Sequence, residues 1–216
     1  MYSFSTKTLV NKEYKLSDFL KQIHASKEVR EDAKKIDKII FQNIINAKTL
    51  NINDEDKEYK EIYIIRLILN TQYTPQLFIE ELDKNIKFHT YFVCEYDGAI
   101  STEMAFKEIS TRVKISSKYY KHPYNNEEPI ELPMLDKISD VYKYLLNYET
   151  KVGLRKEESP LEFIERIKLI SKLEFQISKT ENAIRYESQP KKKFEYNERL
   201  REYKKQLEEC KVAKEI

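Results

Sequence analysis

The run Glu61-Ile62-Tyr63-Ile64-Ile65-Arg66-Leu67-Ile68-Leu69 constrains the fold more than any other stretch. It is rich in β-branched and aromatic residues and nearly continuous in hydrophobicity, the pattern of a strand buried on both faces. Thr74-Pro75 then opens a short helix. Thr74 is placed to cap its first free N–H groups, and proline suits the first helical position. Leu77, Phe78, Leu82 and Ile86 give that helix one apolar side. The chain returns as Phe88 to Tyr96, turns at Asp97-Gly98 and leaves as Ala99 to Phe106. Asp-Gly between two apolar runs predicts a hairpin, because a type I′ turn needs positive φ at both central residues. A strand, a crossover helix and a hairpin can share one sheet with the helix on one face.

Charged residues make up 35% of the 216, well above the usual quarter, which predicts one core with long solvated helices. The formal charge of +2 sets up no global basic field that would announce nucleic acid. Cys94 and Cys210 lie far apart, without metal-ligand spacing, and Cys94 sits in an apolar run as a small hydrophobe. Neither a disulfide framework nor an apolar signal core is visible, so the expectation is a cytoplasmic protein without membrane association.

Residues 1–15 read as an extended arm, and Ser17-Asp18 precedes a short helix at Phe19, Leu20 and Ile23. Val29, Ala33, Ile36, Ile40 and Ile44 follow helical spacing and predict one long helix from Lys27 to about Ile45. Ala47 to Ile52 reads as a short strand, and Asn53 to Lys60 as a polar loop. Pro123, Pro129 and Pro133 break regular structure and mark a junction. Leu135, Ile138, Val141, Tyr142 and Leu145 then step as a helix. Ser159-Pro160 starts the last section, where Ile170, Leu173, Ile177, Thr180 and Ile184 form a coiled-coil seam. Gln189-Pro190 interrupts it. Tyr196, Leu200, Tyr203, Leu207 and Cys210 repeat the stepping, so the two helices should fold back as an antiparallel hairpin. The expected architecture is an α+β body over 1–133, a mixed β-sheet with covering helices. A helical section, 134–216, follows and ends in an antiparallel coiled-coil hairpin over 160–216.

Three stretches are candidates for function. Asp54, Asp56, Glu58 and Lys60 place carboxylates and a lysine before a strand, the residue types of a metal-dependent nuclease. A Glu-x-Lys pair of that kind normally lies within a strand, and here it lies in a polar run, so a solvated loop is the simpler reading. Residues 111–124 hold Arg112, Lys114, Lys118 and Lys121 with Tyr119 and Tyr120 interleaved and no acidic residue. Cations of this kind neutralise phosphates and tyrosine rings stack on bases. The simpler alternative is a lysine-protected sheet edge with the tyrosines packed inward. The seam residues Ile170, Leu173, Ile177, Ile184, Leu200, Tyr203 and Leu207 are candidates for docking a protein partner, against internal bracing alone. His24, His89 and His122 share no metal-ligand spacing, and no nucleophile motif is present. Gly98 and Gly153 are the only glycines, which excludes a Gly-rich phosphate loop. No metal and no cofactor is expected.

Several pieces together carry a resemblance. They are Lys34-Lys35-Ile36-Asp37-Lys38-Ile39-Ile40 leading to Ala47-Lys48-Thr49-Leu50-Asn51-Ile52; Glu61-Ile62-Tyr63-Ile64-Ile65 followed by Phe92-Val93-Cys94-Glu95-Tyr96; and Gln189 through Phe194-Glu195-Tyr196-Asn197-Glu198 to Leu200. The chain resembles an uncharacterised bacterial family, the domain-of-unknown-function family four-three-nine-one. It departs from the family pattern in having no Trp, with Phe41 standing near that place. The resemblance implies a small accessory protein encoded near helicase, DNA methyltransferase or restriction-type genes, with one of those proteins as partner. It transfers no functional residue.

Overall fold

The computed structural model describes residues 2–54, 56–125 and 128–211. The elements in order are β1 Tyr2–Ser3, β2 Leu9–Tyr14, α1 Leu16–Gln22, α2 Lys27–Ala33, β3 Ile36–Asn46, α3 Ala47–Leu50, β4 Glu61–Leu69, α4 Gln76–Asn85, β5 His89–Tyr96, β6 Ala99–Met104, β7 Lys107–Ile109, β8 Val113–Ile115, β9 Tyr120–Asn125, β10 Ile130–Glu131, α5 Ile138–Thr150, α6 Pro160–Tyr186 and α7 Pro190–Lys211. The chain divides into two compact units, Met1–Thr150 and Lys151–Ile216. It is a mixed α+β protein: a six-stranded mixed sheet, then two C-terminal helices that pack together.

The first unit is built on a sheet of order β2-β3-β4-β5-β6-β9. Only β4 and β5 are parallel, and α4 makes the crossover a parallel pair requires. β4 is central. Its Ile65, Leu67 and Leu69 join Ile39 of β3, Phe92 and Cys94 of β5, Val29 and Ala33 of α2, and Phe78, Ile79 and Leu82 of α4 in one apolar cluster. Ile62 and Ile64 are fully buried on the opposite face, as the continuous apolar run implies. α5 is joined to that face by hydrogen bonds from Tyr91 and Thr102 to Glu149. The β5–β6 turn has φ of 48° at Asp97 and 78° at Gly98, the two positive values of a type I′ turn.

Four local expectations are corrected, the last of them at the start of α4. The long helix over 27–45 is instead a helix to Ala33 and an eleven-residue strand from Ile36. The strand carries register shifts at Ile36/Lys38 and Phe41/Asn43. Each inserts an extra residue and shifts the inward positions, so buried Ile36 and Ile39 fall at a helix-like spacing. Ala47 to Ile52 is not a strand. The Asn46 side chain accepts from Thr49 N while the Thr49 hydroxyl accepts from Asn46 N, a capping box that starts α3. Within residues 1–15, β2 is a sheet strand with a register shift between Leu9 and Lys12, where Asn11 has φ of 48°.

The N-terminal ends of α4 and α5 are satisfied from a distance. Thr74 does not cap α4: Pro75 holds the cap position without a side-chain bond. Asp32 of α2 supplies the acceptor, with Oδ2 3.2 Å from Phe78 N. Asp54 accepts from Ile138 N at 2.7 Å and so caps α5 across 84 residues of sequence. A carboxylate at a helix N-terminus satisfies a free donor and complements the macrodipole.

The second unit is a helical hairpin. Ser159 and Glu162 form a capping box with Pro160 at the first helical position of α6. Lys204–Glu181 and Lys211–Glu174, each at 2.8 Å, link α6 to α7 and lie one heptad apart on both helices. They show the antiparallel register. At the open end, Arg166 makes two 2.6 Å bonds to Glu158 and reaches Cys210 O at 3.2 Å. Arg155 reaches Glu209 O and Cys210 O. Both cations complement the carbonyl end of α7.

Asp54→Ala should lower the unfolding free energy by about 1 kcal/mol. Urea denaturation would show a reduced midpoint with unchanged slope. An unchanged midpoint would mean that α5 does not depend on the Asp54 cap.

Candidate functional site

Alternation along β5 and β6 sorts polar groups to the two faces of the sheet. Thr90, Phe92 and Cys94 share one side of β5, and Tyr91 and Val93 the other. The pairing Phe92↔Glu103 puts Glu103 on the α4 side, whereas Val93↔Thr102 puts Thr102 on the α5 side.

On the α4 side, Asp83 is fully buried and paired with the equally buried Lys107 at 2.5 Å. The Thr90 hydroxyl donates to Asp83 Oδ1, and the Tyr119 phenol donates to Oδ2 at 2.7 Å. Lys107 Nζ also donates to Ile86 O at 3.0 Å and Phe88 O at 2.7 Å. Burial pulls the Lys107 pKa down, and Asp83 opposes that fall. Burial, reinforced by the Asp83 charge, pushes the Tyr119 phenol up. Glu103 is also buried, and desolvation raises its pKa against the pull of Lys121. Lys121 Nζ lies 3.1 Å from Glu103 Oε2; the contact is a close ion pair although its angles do not meet those of a hydrogen bond.

Above this cluster lies a groove of about 390 Å³ lined by Gln76, Glu80 and Lys84 of α4 and by Ile115, Ser117, Lys118, Tyr119 and Lys121. Three of the predicted nucleic-acid-binding residues, Lys118, Tyr119 and Lys121, therefore meet in one depression. Their groups are largely engaged. Lys121 faces Glu103 and donates to Gln76, and the Tyr119 phenol is bonded to Asp83. Lys118 sits over the Tyr120 ring at 5.5 Å, and Lys114 lies 3.6 Å from Glu108. Arg112 makes no ion pair among the described residues and does not line the groove. Asp83, Glu103 and Lys107 escaped the motif search. The one local signal is that Glu103 and Lys107 flank the apolar run Met104-Ala105-Phe106.

On the α5 side, Glu149 Oε1 accepts from Tyr91 at 2.7 Å and Thr102 at 2.6 Å. Burial pushes its carboxyl up to about 7, partly offset by those two donors. His89 stacks on Tyr59 with centroids 4.7 Å apart and tilts against Tyr142 at 4.3 Å. Neither ring nitrogen meets hydrogen-bond geometry. Burial and then Lys107 pull His89 down to about 3, opposed by the backbone at Glu58. His89 is thus a neutral core ring.

The acidic loop is occupied with backbone. Asp54 accepts from Asp56 N at 3.1 Å besides capping α5, and Asp56 accepts from Glu58 N at 2.8 Å and Tyr59 N at 3.1 Å. Glu58 and Lys60 are exposed. Among the described residues, no group of three or more His, Cys, Asp or Glu is arranged to hold a metal ion.

In the hairpin, Ile170 and Leu173 are buried, while Ile177, Ile184, Leu200, Tyr203 and Leu207 are half-buried along the seam. α7 has no fully buried residue. Phe175, two residues from Leu173 and Ile177, lies on the opposite side of α6 and is exposed. No described helix is long and apolar enough to cross a membrane.

The model of the family described as Domain of unknown function (DUF4391) matches residues 5–207. The chain belongs to this family. No curated protein and no solved structure matches it. The segments that carry the family resemblance lie in β3 with α3, in β4 and β5, and in the turn and first half of α7. In this member they hold the centre of the sheet and the start of α7 rather than the walls of the groove.

The two buried acid–base groups predict opposing pH slopes. Glu149 is raised from 4.5 to about 7, so its contribution is full below pH 4.5 and lost as pH rises through 7. His89 is lowered from 6.5 to about 3, so its contribution is full above pH 6.5 and lost as pH falls toward 3. Between pH 4.5 and 6.5 the slopes oppose each other. Glu149→Gln should remove one of them. Denaturation across pH should then show a variant more stable than the parent above pH 7, by about 3 kcal/mol, and losing stability more steeply below pH 6.5. Parallel profiles for the two chains would contradict this.

Proposed function

We propose that the protein is a cytoplasmic, non-enzymatic accessory or adaptor in a bacterial DNA-restriction or phage-defence setting. It acts by docking a protein partner through its C-terminal hairpin. The observation that carries this reading is the half-buried seam. With the hairpin closed, Ile177, Ile184, Leu200, Tyr203 and Leu207 still keep part of their surface exposed. A half-exposed apolar seam between two helices, about 40 and 33 Å long at 1.5 Å per residue, suits a further amphipathic helix. The family resemblance points to a helicase or DNA methyltransferase as the partner. The metal-dependent nuclease reading gains no support from the loop at 54–60, where Asp54 and Asp56 hold backbone N–H groups.

Affinity purification of the tagged full-length chain from its host, with and without nuclease treatment, tests the proposal. Recovery of a helicase or methyltransferase that survives the nuclease is expected. Tyr203→Ala should reduce that recovery about tenfold or more while helical circular dichroism is retained. Phe175→Glu, on the other side of α6, should leave recovery unchanged. Recovery only with intact nucleic acid, or equal recovery by Tyr203→Ala, would overturn it.

A further inference from the structure

The closed end of the hairpin brings four cations together around one carboxylate, Glu187, which accepts from Gln189 N at 2.9 Å. Arg185 lies in the last turn of α6, and Lys191, Lys192 and Lys193 fill the first turn of α7. All four are exposed, and none forms an ion pair among the described residues. This differs from the groove on the first unit, where Lys121 faces Glu103 and Lys114 lies near Glu108. On the hairpin shaft Lys204 and Lys211 pair across the helices, and the shaft cations without an ion pair among the described residues, such as Lys168, Lys172, Lys179 and Lys205, stand singly rather than in a run.

The lysine triplet works against the helix that bears it. The first turn of a helix favours acidic residues, because free N–H groups there carry partial positive charge. α7 has none there, and puts three lysines in their place. Such a break with local preference, without a compensating contact, marks positions held for something other than folding. Two aromatic rings flank the same turn. Tyr186 ends α6 with 82% of its surface exposed, and Phe194 follows the lysines with 66% exposed. Exposure of this size leaves most of each ring without packing.

We propose that the tip of the hairpin, Arg185, Tyr186, Lys191, Lys192, Lys193 and Phe194, binds single-stranded nucleic acid. The cations neutralise successive phosphates and the two rings stack on unpaired bases. The site is made by side chains, and the free amides of α7 are not required for it. A duplex fits less well, since its bases are already stacked on one another. An anionic membrane surface would draw on the same cations, and the vesicle arm of the test below separates the two. The proposal goes beyond protein docking through the seam and stands apart from it: loss of tip binding leaves partner capture intact.

Fluorescence anisotropy of the full-length chain with a labelled oligothymidylate of about 15 nucleotides provides the test. Binding should weaken linearly on a log–log plot between about 50 and 200 mM salt. The triple variant K191E/K192E/K193E should lose most affinity. The neutral version K191Q/K192Q/K193Q, which guards against misfolding by charge reversal, should lower the salt slope by about two. Tyr186→Ala and Phe194→Ala should each weaken binding about tenfold at an unchanged slope. Charge reversal of Lys114 and Lys118 should leave binding as it is. The proposal is overturned if the oligonucleotide does not bind at the lowest salt, or if both triple variants bind like the parent. It is equally overturned if binding disappears only with the Lys114 and Lys118 changes, or if the triplet is needed for anionic vesicles or an acidic peptide and not for the oligonucleotide.

Discussion

The carboxylate of Asp83 is the contact on which the first unit depends. It sits on α4, accepts from Thr90 of β5 and Tyr119 just before β9, and pairs with Lys107 at the start of β7. One charge therefore ties the crossover helix to both the parallel strand that follows it and the far edge of the sheet. Lys107 completes the knot through the carbonyls of Ile86 and Phe88, on the connection from α4 to β5. Removing one partner of such a buried pair leaves the other uncompensated, at about 3–5 kcal/mol, a large share of a domain's net stability. The groove lined by Tyr119 and Lys121 thus has a rigid floor.

The elements legible in the sequence were those whose signals are local and undisturbed. β4 reads as a doubly buried strand because Ile62 to Leu69 is apolar on both parities. The Asp97-Gly98 hairpin follows from two adjacent residues, and the start of α6 from Ser159-Pro160. β3 was hidden because its two register shifts move the inward residues off strict alternation, so that buried Ile36 and Ile39 stand three apart as on a helical face. α3 was hidden because four residues give periodicity nothing to work on, and only Asn46 with Thr49 betrays it.

The chemistry was less legible than the fold, for a physical reason. Charges in sequence carry no label for their partners. Asp54 looks like a metal ligand beside Asp56 and Glu58, yet it faces a helix N-terminus 84 residues away. Lys121 looks like a phosphate contact among the cations of 111–124, yet its neighbour across the β6–β9 pairing is the buried Glu103. The lysines of 191–193 drew notice only as part of a family-like segment, because their lack of partners is a property of the folded hairpin.

The two margins of the six-stranded sheet have one property in common. β2 is interrupted by the left-handed residue Asn11 and a shifted register, and β9 contains Pro123, which has no N–H to offer. Neither margin presents an unbroken row of donors and acceptors. Strand addition is thereby disfavoured at both margins of this sheet, for another chain and for copies of this protein crowded together in a cell. Contacts made there fall to side chains, where composition, and not backbone, selects the companion.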